Sequence, residues 1–138
     1  MRRFTTVLTI LLGIFPLTFG SRFVFDPYGA APGYGVDPGP TGLAAVGFLE
    51  AKGVRDFVLG LVILALFALG QRRATGVVLA IMAIIPIVDM IIVLTHGGTT
   101  ATALGVHGLT AAVMLVDAFL LLRERDVTAG KPLQPAHS

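Results

Sequence analysis

An all-α fold, a four-helix transmembrane bundle with both termini on the cytoplasmic side, is predicted by three observations. The first is composition: 55% of the 138 residues are hydrophobic and only 13% charged, more apolar surface than a soluble domain of this size can bury. The second is distribution, because the apolar residues fall into four runs, each long enough at about 1.5 Å per residue to cross a bilayer. The third is charge. Arg2, Arg3, Arg72, Arg73, Arg123, Arg125 and Lys131, seven of the ten basic residues, lie on one side of such a bundle, and only Arg22, Lys52 and Arg55 on the other, the bias expected of a cytoplasmic face.

The same numbers exclude whole classes of function. There is no cysteine, so disulfides, thiol nucleophiles and iron–sulfur ligation are all ruled out. The net charge is only +2, and its basic residues sit at the ends of apolar runs, so the charge reads as topology and not as a nucleic-acid footprint.

The chain reads as one domain over residues 1–126, with helices at about 4–23, 51–70, 76–95 and 101–122, and a disordered tail at 127–138. Helix one follows Met1-Arg2-Arg3 and extends to Phe25 if Arg22 snorkels. A secretory signal peptide is the competing reading, given the basic start, the Pro16 break and small residues at Thr18 and Gly20. Residues 24–42 are dense in proline and glycine and predict an irregular extracytoplasmic loop. Tyr28 and Tyr34 would anchor it at the headgroups, and a lid over the charged stretch beyond is the alternative. Thr41 is a candidate N-cap for helix two. The basic link Gln71-Arg72-Arg73 turns the chain into helix three, where Pro86 removes a backbone hydrogen bond. Thr95-His96-Gly97-Gly98 turns it into helix four. Gly53, Gly60, Gly76, Gly105 and Gly108 are expected to let helices approach closely.

Lys52, Arg55 and Asp56 interrupt helix two where counting back from Gly70 places them in the outer third of the membrane. Charges there are costly and ordinarily face a partner or a cavity. Asp89 on helix three and His107 on helix four reach a similar depth, so the three helices can bring these groups together. Leu59 and Ile63 continue the Lys52–Asp56 face, giving a pocket polar above and apolar below. Asp56, Asp89 and His107 are the candidate catalytic groups, and Lys52, Arg55 and Arg22 the candidate ligand-binding groups. No metal or cofactor is expected, because His96, His107 and Asp89 match no ligand spacing. Asp117 lies deeper and is expected to meet a backbone group or a hydroxyl. An Arg–Asp network that only pins helices together is the purely structural alternative.

Lys52-Gly-Val-Arg55-Asp56, Pro86-Ile-Val-Asp89, His107 and the loop's Gly33-Tyr-Gly-Val36 resemble the small membrane proteins grouped as domain of unknown function 4267, over roughly Phe4 to Arg123. The resemblance implies a four-helix bundle and brings no established activity. The residues themselves leave three functions open for a multi-pass protein of the cell membrane. One is binding of a lipid-like, hydrophobic small molecule. Another is acid/base catalysis on a hydrophobic substrate by an isomerase, cyclase or hydrolase, and the third is proton-coupled transport. The lipid bilayer is the expected partner, a second copy of the chain a further candidate, and nucleic acid is not expected.

Overall fold

The computed structural model describes residues 2–36, 39 and 43–124. Among them the regular structure is helical: α1 (Arg2–Phe25), α2 (Pro27–Tyr34), α3 (Leu43–Ala68), α4 (Arg72–Met82), α5 (Ile84–Thr95), α6 (Thr100–Thr102), a π-helical segment at Ala103–Gly108 and α7 (Leu109–Arg123). The candidate cap Thr41 and the tail at 127–138 lie outside the described residues.

By length and composition, the helical segments Arg2–Phe25, Arg72–Thr95 and Thr100–Arg123 can each cross a membrane. α3 is longer than any of them at 26 residues, yet every 18-residue stretch of it carries Lys52, Arg55 and Asp56. Large apolar side chains stand outside as well as inside: Phe4, Phe48, Ile81, Leu109 and Phe119 are all exposed. A helix apolar all round is matched to an apolar surround. Leu12, Ile63, Leu79, Ala83, Met114, Ala118 and Leu121 form the buried core where α1, α3, α4 and α7 meet.

α1 and α3 approach closely along their backbones. Gly20 packs against Gly53, and Gly13 against Gly60, so two glycines seven residues apart on one helix meet two with the same spacing on its antiparallel partner. A Cβ at Gly20 would come within 2.6 Å of the Gly53 carbonyl oxygen. Only backbones without side chains can sit this close. Gly76 makes a similar approach to α7 at Ala118 and Leu121, whereas Gly105 faces open space and plays no such part.

The helices depart from expectation in three places. The loop expected at 24–42 contains α2, because Asp26 accepts a hydrogen bond from the Gly29 amide (3.0 Å) and Pro27 takes the first helical position, where its missing N–H costs nothing. Gly35, at φ +94°, then ends the helix. Next, the Arg72-Arg73 link is itself the first turn of α4, since Gly70 at φ +74° completes the reversal. Finally, the third run is broken at Ala83, one residue after Met82, whose carbonyl has no N–H to meet at Pro86.

Candidate functional site

At the end of the molecule that holds Thr95 and Gly98, α3 and α5 bring their charges together. Lys52 is placed one turn before Asp56 and its ammonium lies 2.5 Å from Asp56 Oδ2 and 3.8 Å from Asp89 Oδ2. Arg55 donates from Nε to Asp56 Oδ1 (3.0 Å) and from Nη2 to Asp89 Oδ2 (3.4 Å). Both carboxylates are buried, so the paired cations are what makes their charge affordable away from water. The Arg55 side chain remains 41% exposed, unlike the enclosed Lys52.

Lys52 is also boxed by rings. Its Nζ lies 5.5 Å from the Phe19 centroid, 5.1 Å from Phe23 and 4.7 Å from Tyr34, within the range of cation–π attraction. Phe19 and Phe23 come from one face of α1 at i, i+4 spacing, and Tyr34 from the end of α2. That short helix therefore closes over the charged stretch, as the lid alternative expected. The Tyr34 hydroxyl donates to Asp89 Oδ1 (3.3 Å). Burial, then the neighbouring Asp89, pushes the Tyr34 phenol up to about 12.

His107 is buried in the π-helical segment. Its Nε2 lies 2.8 Å from the Tyr34 carbonyl oxygen. A carbonyl only accepts, so Nε2 carries the hydrogen, and the Tyr34 ring meets the imidazole edge-on at 5.2 Å. Single π-turns inside α-helices concentrate at functional sites, and no periodicity in the sequence announces this one.

Beneath this ceiling lies a cavity of about 80 Å³. Lys52, Asp56, Asp89 and His107 border it above. Phe15 and Phe19, Leu59 and Ile63, Ile85 and Pro86, and Val106 and Met114 wall it from four helical segments. It has the arrangement expected from the sequence, polar above and apolar below. The structure thus unites five of the six candidate residues: Lys52, Arg55, Asp56, Asp89 and His107. Arg22 stands apart, exposed at the end of α1 with Nη2 donating to the Gly29 carbonyl (3.4 Å). Among the described residues no three acidic or imidazole groups gather as a metal site.

A second polar cluster lies at the opposite end and was not foreseen. Arg72 donates from Nε to Glu124 Oε2 (2.5 Å) and from Nη2 to Glu124 Oε1 (3.0 Å) and Thr5 Oγ1 (2.6 Å). These bonds, chiefly those from Arg72, hold the Glu124 carboxyl below its ordinary value. Deeper in, Thr9 Oγ1 lies 2.6 Å from Asp117 Oδ2, the hydroxyl partner expected for that carboxyl.

Comparison with known proteins gives one match. The family model described as "Domain of unknown function (DUF4267)" covers residues 13–121, and so takes in Lys52, Arg55, Asp56, Asp89 and His107. No curated protein and no solved structure matches the chain.

Proposed function

The chain belongs to the DUF4267 family, and we propose that it is a multi-pass protein of the cell membrane that holds a lipid-like small molecule in the cavity beneath Lys52 and Asp89. In this reading α3 crosses the bilayer beside the three apolar segments, giving a four-helix bundle with both termini in the cytoplasm. Two features support the fourth span: the glycine seam that pairs α3 with α1, and the neutralisation of its charges within the site. The bias of basic residues toward the Arg72 end supports the orientation.

The observation that carries the proposal is the cavity itself. A network serving only to pin helices has no need of an apolar recess directly beneath its charges. This one sits directly under the polar groups, where an amphipathic molecule places its chain below and its head above. Native mass spectrometry of the full chain in a mild detergent tests it, with wild type beside Leu59→Phe, which narrows the cavity from a partly exposed wall. A retained small molecule lost in the variant is expected. Equal retention in both, or none in either, refutes the reading.

A second reading, an acid/base enzyme acting on a hydrophobic substrate, is favoured by Asp56, Asp89 and His107 all bordering the same apolar space. Unchanged conversion of the retained molecule by Asp56→Asn and Asp89→Asn would eliminate it.

A further inference from the structure

Resting on that reading, we infer that the molecule held in the cavity is an alcohol: its head is a neutral hydroxyl, not a carboxylate or an amine. The network above the cavity is closed in charge, with Lys52 and Arg55 against Asp56 and Asp89. Both oxygens of each carboxylate are also engaged. Asp56 Oδ2 and Oδ1 take Lys52 and Arg55, and Asp89 Oδ2 and Oδ1 take Arg55 and Tyr34. A ligand ammonium adds a third cation with no third anion among the described residues. A ligand carboxylate adds a third anion with no third cation, and burying an unpaired charge is the costliest arrangement available.

What the ceiling does leave open toward the cavity is an acceptor on His107 and N–H bonds on Lys52. His107 commits Nε2 to the Tyr34 carbonyl, and Nδ1 makes no bond to the described residues. In the uncharged imidazole Nδ1 is an acceptor. Lys52 has three N–H bonds and one hydrogen-bond acceptor, Asp56, while rings cover its flanks. A hydroxyl both donates to His107 and accepts from Lys52 through a single atom, whereas a ketone or ester only accepts. The cavity's 80 Å³ is about half of one that holds benzene, so it takes a short branched or straight segment next to the hydroxyl, and the remaining chain lies outside it.

Photolabelling of the full chain in lipid nanodiscs tests this, using three alkyl-diazirine probes of equal chain length that end in a hydroxyl, a carboxylate or an amine. The hydroxyl probe is expected to label cavity residues such as Ile63 and Met114 about tenfold more than either charged probe. Excess untagged alcohol should remove that label, while equal acid or amine should not. His107→Phe should bring the hydroxyl probe down to the level of the charged ones. Stronger cavity labelling by the acid or the amine overturns the alcohol and leaves the cavity standing. Cavity labelling by none of the three, with lipid-facing residues labelled alike by all, overturns both the alcohol and the pocket. The competition experiment uses wild type alone, so it decides the matter even if His107→Phe does not fold.

Discussion

Replacing Gly20 with alanine puts a methyl group into the seam between α1 and α3. The new Cβ would lie 2.5 Å from the Phe57 nitrogen and 2.6 Å from the Gly53 oxygen, against 3.4–4 Å for ordinary van der Waals contact. Both neighbours are backbone, so no side chain can swing aside and the helices must part by about 1 Å. A gap of that size forfeits roughly a quarter to a half of the dispersion energy of each contact it opens, and overpacking of this kind costs about 1–3 kcal/mol. Gly105 supplies the control, because a Cβ there meets nothing within 4 Å and alanine is the better helix former by up to about 1 kcal/mol. Thermal unfolding in one detergent is the assay: Gly20→Ala should melt several degrees below wild type, and Gly105→Ala at or above it. Equal melting of Gly20→Ala and wild type would refute the seam, and with it the main support for α3 as a spanning partner of α1.

Three further outcomes follow from the two polar clusters. Asp56→Asn leaves Lys52 and Arg55 with one carboxylate between them and should cost about 3 kcal/mol, the scale for breaking a buried pair, measured by denaturant titration in mixed micelles. The depressed Glu124 carboxyl makes the Arg72 clamp a stabilising contribution that is complete above the ordinary glutamate value of 4.5 and lost as pH falls through its lower folded value. Melting temperature followed from neutral to acid should show this loss in wild type and not in Glu124→Gln. Tyr34 has the opposite sign. Its phenol is raised from 10.0 to about 12, so its contribution is complete below 10 and lost as pH rises through 12, and an absorbance titration should show a late phenolate step that Tyr34→Phe abolishes.

The sequence states its helices plainly because apolar runs leave little choice in lipid, where backbone groups must bond within the segment. It also pointed to the charged cluster, since Lys52, Arg55 and Asp56 on an otherwise apolar helix call for partners, and Asp89 and His107 were the ones in reach. α2 was hidden because proline and glycine density reads as loop, although Asp26-Pro27 is a start signal and Gly35 a stop. Gly13 and Gly20 were passed over for want of a partner. Only once Gly53 and Gly60 are known to run antiparallel does the shared spacing become visible. The Arg72–Glu124 clamp joins residues 52 positions apart, and both read as solvated charges at helix ends. Phe19 and Phe23 carried a usable i, i+4 signal, but an aromatic pair on an apolar helix says nothing of the ammonium it will enclose.

The π-helical segment gives the site an unusual dependence on the count of residues. A π-turn holds one residue more than the α-turn it replaces, and one residue is worth about 100° of rotation. Deleting Gly105, which faces open space, would let Thr100–Arg123 close into an uninterrupted α-helix. The rest of the segment could then keep Met114, Ala118 and Leu121 toward Leu79 and Ile63 only by turning His107 away from Tyr34. Helix and site are thus tuned to different registers, and the single surplus residue reconciles them.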